Sequence, residues 1–252
     1  MNIIIPSAGY ATRLYPLTHS TPKALLEIGG KRIIEHLFEK IRELPNIHKV
    51  VIVTNELFYE RFMQWYISFP TEFSISILND HSKSNDDRLG AVQDIFLAVK
   101  YLHNSDDILV LHSDNIFSFS LVPLADYFRE LRKTLIGLFD VHDPTIAKRL
   151  GTVKVNENSR ILSFQEKQIE VESTISSVGI YFFSKEVITL LQTYLEKGNS
   201  PDGTGNFIKW LLERREVYGF LCSCAGEYWF DIGTPESYAL ANTCLNSLSL
   251  KK

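Results

Sequence analysis

Strand-like and helix-like segments alternate along the first half of this 252-residue chain. KVVIVT at 49–54 is a continuous, mostly β-branched run, which is typical of a strand covered on both faces. The predicted elements are a strand at 2–5, a helix at 33–44, a strand at 49–54, a helix at 57–67, a strand at 73–78, a helix at 90–103 and a strand at 107–115. This β-α-β-α order predicts an α/β fold with a Rossmann-like, doubly wound sheet.

The second half of the chain is richer in strands. Its predicted strands lie at 134–141, 151–155, 160–167 and 176–183, and its predicted helices at 184–196, at 205–214 and from Pro235 onward. No linker rich in glycine, serine or proline separates the halves. We therefore predict a single domain over 1–252, with a nucleotide-binding half at about 1–117 and an elaborated half at about 118–252.

Composition restricts the class of partner and the compartment. The net charge of −4 argues against nucleic acid as a partner, because nucleic-acid-binding domains are usually basic. The three cysteines fit a reducing compartment, and the pair at 222 and 224 is predicted to be two strand residues on one face. With no secretory signal and no membrane-length apolar run, we expect a cytoplasmic, soluble protein that is not bound to a membrane.

The loop after the first strand has the composition of a phosphate-binding loop. Small residues that let backbone N–H groups approach an anion are followed by two cations, Arg13 and Lys23. The glycine patterns of P-loops and of dinucleotide-binding folds are both absent.

Several motifs along the chain match, in order, the motifs of one known protein family. The family's G-x-G-T-R-L…P-L-T…P-K-x-L-L segment is matched by GYATRLYPLT and PKALLEIGGKRII, with Ala11 at the third glycine. RLGAVQDI resembles its L-G-T-A helix start, and LVLHSDNIF resembles L-V-L-x-G-D-N-I-F, with Ser113 replacing a glycine. The later segments of the family, two strands and a W-x-D-x-G-T-P-E-S-Y segment, are matched by RLGTVKVNENSRILSFQEK, SVGIYFF and EYWFDIGTPESYALAN. Together, these motifs resemble those of the sugar-1-phosphate nucleotidyltransferases.

The resemblance implies the nucleotide-diphospho-sugar transferase fold, with a β-rich sugar-binding second half. It implies an enzyme of the EC 2.7.7 class, active in nucleotide-sugar and polysaccharide biosynthesis. Such an enzyme joins a nucleoside triphosphate to a sugar 1-phosphate, or a similar small phosphate, and releases pyrophosphate. The resemblance is also compatible with a homo-oligomer, but it does not determine the oligomeric state.

Site residues follow by matching positions in the family. The residues expected to act in catalysis are Arg13 and Lys23, and those expected to bind Mg²⁺ are Asp114 and Asp231. The nucleotide is expected at Ser7, Ala8, Gly9, Tyr10, Ala11, Thr12, Asn85, Arg88 and Gly90. The sugar phosphate is expected at Gly151, Glu166, Lys167 and Gly179. Asp114 has support beyond the resemblance, because it follows a buried strand at the sheet edge where α/β folds bind ligands.

The chemistry requires positioning more than activation, since the attacking phosphate oxygen is already anionic. Arg13 suits the leaving pyrophosphate, because its planar fork matches phosphate oxygens. Mg²⁺ suits two carboxylates together with substrate phosphates.

The identity of the base stays open at this stage. Asn85 has groups suited to a pyrimidine edge, whereas Arg88 could reach guanine or a phosphate. UTP or dTTP with a glucose 1-phosphate-like acceptor is favoured. The alternatives are a cytidylyl- or guanylyltransferase acting on a non-hexose phosphate, and a non-catalytic homologue that binds nucleotide sugars and regulates a partner.

Overall fold

A computed structural model describes residues 1–103, 106–166 and 170–249. The strands are β1 Asn2–Pro6, β2 Glu27–Ile28, β3 Lys31–Arg32, β4 Lys49–Thr54, β5 Ile75–Asn79, β6 Ile108–Leu111, β7 Asn115–Phe117, β8 Thr134–Asp140, β9 Gly151–Val155, β10 Ile161–Glu166, β11 Ile175–Phe183, β12 Val217–Leu221 and β13 Trp229–Asp231. The helices are α1 Ile33–Ile41, α2 Tyr59–Ser68, α3 Ala91–Leu102, α4 Val122–Leu131, α5 Pro144–Ala147, α6 Lys185–Glu196, α7 Thr204–Leu212 and α8 Pro235–Ser249.

Within the described ranges, nine of these strands form one mixed sheet. β1 lies at its centre and runs parallel to β4 and β6, and β4 runs parallel to β5. The second half adds β11 antiparallel to β6, and β8 and β9 pair with β11 in turn. The predicted mixed, doubly wound α/β sheet is therefore confirmed.

Helices cover both faces of the sheet, because its central strands are apolar on both sides. In β1, Ile3 and Ile5 pack with α1, α2 and α4, whereas Ile4 packs with α3, α6 and α7. All three isoleucines are fully buried. This packing leaves the ends of the strands, rather than the faces of the sheet, to bind a ligand.

The predicted strand at 107–115 is in fact two strands. β6 ends at Leu111, and β7 leaves the main sheet to pair with β13. The intervening residues are fixed to the sheet, since the His112 amide donates to the Gly179 carbonyl and the Ser113 hydroxyl donates to the Pro6 carbonyl. The break places three polar residues at the carboxyl end of β6, next to the end of β1.

The interpretation of the cysteine pair is wrong. β12 ends at Leu221, and the Cys224 amide turns back to donate to the Cys222 carbonyl at 3.0 Å. Cys222 is consequently buried while Cys224 is exposed. The two thiols lie in a turn and do not share one face of a strand.

None of the helices in the described part of the chain combines the length and the apolar character that a membrane crossing requires.

Candidate active site

The loop after β1 begins at the parallel centre of the sheet and is held there by hydrogen bonds. The Ser7 amide donates to the Val53 carbonyl at 2.7 Å, and the Asn55 side chain donates to the Ala8 carbonyl at 2.8 Å. Ser7, Ala8 and Gly9 line a cavity at this edge, with Gly9 exposed. These three predicted nucleotide-binding residues are therefore positioned around open space.

The next three predicted residues of the loop lie in different surroundings. Tyr10 is buried against Phe58, and this burial raises the pKa of its hydroxyl. Ala11 adopts the left-handed conformation, with φ 48° and ψ 43°, and the exposed Thr12 begins a 3₁₀ turn, Thr12–Leu14, whose last residue is buried. The structure therefore places Tyr10 toward the core rather than among the residues that line the cavity.

Ala11 accepts a conformation that normally favours glycine. Its carbonyl accepts hydrogen bonds from the Leu14 amide and the Thr18 hydroxyl, both at 2.9 Å. Left-handed geometry costs an alanine about 1–2 kcal/mol, because Cβ approaches the following carbonyl oxygen. The loop therefore keeps a turn suited to glycine without the residue itself.

Lys23 and Asp114 form an ion pair across the cavity. The Lys23 Nζ lies 2.7 Å from Asp114 Oδ2, and their side chains are only 18% and 26% exposed. The other carboxylate oxygen, Oδ1, accepts a hydrogen bond from the side-chain amide of Asn115 at 2.8 Å. Burial alone would raise the pKa of Asp114, but the Lys23 ammonium outweighs it and holds the pKa of that carboxyl below its usual range.

Asp231 reaches Asp114 through the two-stranded ribbon of β7 and β13. In this ribbon Asp231 lies opposite Asn115, and the Ile232 amide donates to the Asp114 carbonyl at 2.9 Å. The Trp229 indole also donates to the Asn115 side chain at 2.7 Å. The two predicted metal ligands, distant in sequence, are thus the residue that precedes β7 and the last residue of β13.

Arg13 and Asp231 flank Gly233. A Cβ at Gly233 would lie 3.6 Å from Arg13 Nη2 and 3.7 Å from Asp231 Oδ1. Arg13 is exposed, whereas Asp231 is half-buried. Both predicted catalytic cations therefore lie beside the predicted metal ligands, Lys23 against Asp114 and Arg13 near Asp231.

The first cavity, of about 230 Å³, separates the loop from the start of α3. Gly90 precedes α3 with φ 91°, and a side chain there would meet the Pro201 backbone at 2.7 Å. Arg88 lines the cavity but is engaged by Asp202 at 3.0 Å and by the Asn85 carbonyl at 2.7 Å. Asn85 itself is not among the residues that line this cavity.

A second cavity, of about 140 Å³, adjoins the first and shares His112, Asp114 and Gly203 with it. Gly151, Glu166 and Gly179 line it, as does Asp231. Lys167, the remaining residue predicted to contact the sugar phosphate, lies outside the described residues. Asp114 thus lies where one cavity meets the other, and Asp231 lines the second cavity.

Packing within the protein explains both glycines of the second cavity. A Cβ at Gly151 would lie 2.8 Å from the Phe164 ring. At Gly179, where φ is 73°, a Cβ would lie 2.7 Å from the side-chain amide nitrogen of Asn115. Glycine is therefore required at these positions whether or not a sugar approaches them.

Several residues that line or support the site were not predicted. His112 is partly buried, its ring bonds the Thr204 hydroxyl at 2.9 Å, and burial of the ring lowers the pKa of its imidazole. Trp229 and Asp202 also line the cavities. His112 directly follows a buried strand, and this position could have predicted that it lies at the site. Asp202 lies in the α6–α7 loop, where no sequence motif indicates a site residue.

The donor set is compatible with Mg²⁺. No cluster of three or more His, Cys, Asp or Glu side chains suited to a metal occurs in the parts of the chain that the structure covers. Two neighbouring carboxylates nevertheless match the way Mg²⁺ is bound, through one or two carboxylates plus waters and substrate phosphates. Asp114 and Asp231 would hold such an ion, in competition with the Lys23 ammonium.

Comparison with known proteins places the chain among nucleotidyl transferases. The model of the nucleotidyl transferase family matches residues 2–247. A bifunctional protein GlmU of Methanococcus vannielii is 28% identical over 249 residues, covering 96% of this chain and 54% of the relative. A mannose-1-phosphate guanyltransferase of Yarrowia lipolytica is 28% identical over 264 residues, covering 100% of this chain and 66% of the relative. The chain thus spans about half the length of the GlmU relatives it matches.

Solved structures share the fold. A putative glucose-1-phosphate thymidylyltransferase from Bacillus anthracis, crystallised with sucrose, superimposes with a TM-score of 0.80 at 25% identity, covering 98% of this chain and 95% of that one. An apo UDP-glucose pyrophosphorylase gives a TM-score of 0.80 at 17% identity, with 98% of both chains covered, and this likeness concerns the fold alone.

Proposed function

The chain belongs to the nucleotidyl transferase family, and we propose that it joins UTP or dTTP to a sugar 1-phosphate, giving a nucleotide sugar and pyrophosphate. The observation that carries the proposal is that Asp114 lies where two cavities join, next to the β7–β13 ribbon that carries Asp231, and that both aspartates line the second cavity. A nucleotide in the first cavity and a sugar phosphate in the second would both direct their phosphates to this junction.

In the proposed reaction, a phosphate oxygen of the sugar phosphate attacks the α-phosphorus of the triphosphate. A new P–O bond forms there as the bond to the oxygen that bridges the α- and β-phosphates breaks, and pyrophosphate leaves with the electron pair. The protein needs no general base for the attack, because the attacking oxygen carries a negative charge already.

Two cations would neutralise the phosphates. Lys23, which lies beside Asp114, would bind the phosphates of the triphosphate there. Arg13, at the exposed side near Gly233, would contact the departing pyrophosphate. A Mg²⁺ held by Asp114 and Asp231 would supply further stabilisation of the negative charge on the phosphate oxygens.

Two observations support the choice of UTP or dTTP. The leader sequence IPSAG resembles that of glucose 1-phosphate uridylyltransferases, and the putative thymidylyltransferase structure shares the fold of this chain. A guanylyltransferase is the second candidate, since the Yarrowia relative named for that activity aligns with the whole of this chain.

A pyrophosphate-release panel tests the proposal. The chain is incubated with UTP, dTTP, CTP, GTP or ATP against glucose 1-phosphate, mannose 1-phosphate, a polyol phosphate or phosphocholine, with and without Mg²⁺. We expect Mg²⁺-dependent release that is fastest with UTP or dTTP and a hexose 1-phosphate. Tenfold greater efficiency with GTP or CTP would contradict the choice of nucleotide.

The control for the panel is the Asp231→Asn variant, which keeps the size of the side chain and removes its charge. Release that is equal in this variant and in the wild type would contradict the role of the carboxylate junction. No release with any pair, despite binding of a nucleotide sugar, would favour the non-catalytic alternative.

A further inference from the structure

Asn115 is a buried side-chain amide that adjoins both aspartates of the candidate site. It begins β7 and is 5% exposed, and its Nδ2 donates to Asp114 Oδ1 at 2.8 Å. In the ribbon, Asn115 is also the residue opposite Asp231, and facing residues of two paired strands project to the same side. All three residues line the second cavity. One amide is therefore a neighbour of both predicted metal ligands.

The indole of Trp229 determines which way this amide faces. Trp229 lies two residues before Asp231 in β13, so it is the diagonal neighbour of Asn115 on one face of the ribbon. Its Nε1 lies 2.7 Å from Asn115 Oδ1. Because an indole N–H can donate but cannot accept, it requires the oxygen of the amide, and the NH₂ group is left for Asp114. The two ends of an amide have nearly the same size, so this hydrogen bond, and not shape, selects the orientation.

The neighbouring backbone also restricts the amide. A Cβ on Gly179 of β11 would lie 2.7 Å from Asn115 Nδ2, which means that this strand passes directly against the NH₂ group. The same Nδ2 donates to the His112 carbonyl at 3.4 Å. The amide is thus held by a donor at its oxygen, by two acceptors at its nitrogen and by a strand packed against it.

The two oxygens of Asp114 consequently have different partners. Oδ1 accepts from Asn115, whereas Oδ2 lies 2.7 Å from Lys23 Nζ. A carboxylate that is anchored at one oxygen presents the other oxygen in a fixed direction, and carboxylates that bind metals depend on such outer hydrogen bonds for their orientation. If the amide turned end for end, its oxygen would face Oδ1 and repel it.

We propose that Trp229 and Asn115 form a positioning pair, which anchors Asp114 Oδ1 so that Oδ2 is presented to a cation. The proposal rests on the proposed function for a divalent metal as that cation. In this role neither residue touches the reacting groups, because Asn115 acts through Asp114 and Trp229 acts through Asn115. The affinity of the carboxylate for the metal would then depend on an indole N–H that does not touch the carboxylate.

Two substitutions test the pair. Trp229→Phe keeps an aromatic ring but removes the N–H that selects the orientation of the amide, whereas Asn115→Leu keeps the size of the side chain and removes both hydrogen bonds. Trp65→Phe is the matched control, because the Trp65 indole donates to Glu35 at 3.1 Å and neither residue is among those that line the two cavities. Thermal unfolding of the three variants establishes that they are folded.

The measurement is equilibrium binding of Mn²⁺ alone, followed by electron paramagnetic resonance without nucleotide or sugar phosphate, with Mg²⁺ as the competitor. We expect the dissociation constant for Mn²⁺ to rise roughly tenfold in Trp229→Phe and at least as much in Asn115→Leu. Trp65→Phe should bind Mn²⁺ as the wild type does. Wild-type affinity in both ribbon variants, an equal loss in Trp65→Phe, or a wild type that binds no Mn²⁺ would overturn the proposal.

Metal binding without substrates keeps this test separate from the catalytic one. Weaker Mn²⁺ binding in Trp229→Phe and Asn115→Leu, in a chain that releases no pyrophosphate with any pair of substrates, would refute the proposed reaction and uphold the positioning pair. Pyrophosphate release that reaches half its maximal rate at the same Mg²⁺ concentration in the wild type and in both variants would do the reverse.

Discussion

Replacing Asp94 by asparagine should remove a large pH dependence from the stability of the protein. Burial on α3, followed by repulsion from Asp80 and Asp202, raises the pKa of Asp94 to about 8 in the fold, whereas an unfolded aspartate has a pKa of about 3.9. Between these values the native state holds a proton that the unfolded chain has released. The free energy of unfolding therefore falls as the pH rises, and this contribution is fully present only below the unfolded pKa.

The magnitude follows from the width of that window. Each pH unit between the two pKa values is worth about 1.4 kcal/mol, so the contribution of Asp94 falls by about 3 kcal/mol from pH 5 to pH 7. Asparagine cannot ionise, and its buried amide adds an offset that does not depend on pH. The stability of Asp94→Asn relative to the wild type should thus improve by about 3 kcal/mol over this interval.

Urea unfolding followed by tryptophan fluorescence at half-unit pH steps measures this difference. Asp86→Asn is the matched control, because it removes the same charge from an exposed position in the loop before α3. The control should run parallel to the wild type. Parallel curves for Asp94→Asn as well would refute the argument, since they would mean that Asp94 ionises as it does in water.

Three further predictions concern the loop and the carboxylate junction. Arg13→Ala should lower kcat by roughly 100-fold while changing KM for the sugar phosphate less than about threefold; equal effects on both in steady-state kinetics would contradict a role on the leaving group. Lys23→Met should lower the free energy of unfolding by about 2 kcal/mol, because a partly buried carboxylate loses its charged donor. Lys31→Met, which breaks an exposed pair with Glu39, should cost at most about 1 kcal/mol, and equal losses in chemical denaturation would contradict the argument. Ala11→Val should destabilise the protein by at least about 1 kcal/mol, because a β-branched side chain is strained in the left-handed conformation. Ala11→Gly should change stability little, because relief of strain offsets the greater entropy of unfolded glycine. A valine variant with the wild-type melting temperature would show that the left-handed turn is not required.

The sequence predicted the central sheet well because its signal is local. KVVIVT and GTVKV match β4 and β9 residue for residue, since a run of β-branched residues between polar boundaries can pack in few other ways. The helix predicted at 90–103 differs from α3 by one residue at each end. In each of these segments, the local sequence alone indicates the spacing of the apolar residues and the ends of the strand or helix.

The junction of Asp114 and Asp231 depends instead on tertiary pairing. Three-residue strands such as β7 and β13 have too little pattern to predict, and their register is set by contacts such as that of Trp229 with Asn115. Matching the two aspartates to family motifs identified them as a pair, but only the ribbon explains why they meet.

Burial of Asp94 was also hidden from the sequence. An aspartate in an amphipathic helix normally faces solvent, and the apolar stripe of α3 gives no reason to expect otherwise. The α6–α7 loop changes this, because the Pro201 carbonyl accepts from the Val92 amide at 2.9 Å and covers the first turn. A loop far along the chain thus determines the environment of a helix that was itself predicted correctly.

The β7–β13 ribbon also has a consequence for the order in which the site is made. During synthesis, the loop after β1, Asp114 and the central strands emerge long before Trp229–Asp231. A nascent chain of which only the first half has left the ribosome can form the parallel strands β1, β4, β5 and β6. It has Asp114 but still lacks Asp231. The same holds for a fragment cut by a protease before β13, so the proposed activity would begin only when the second strand of the ribbon has docked.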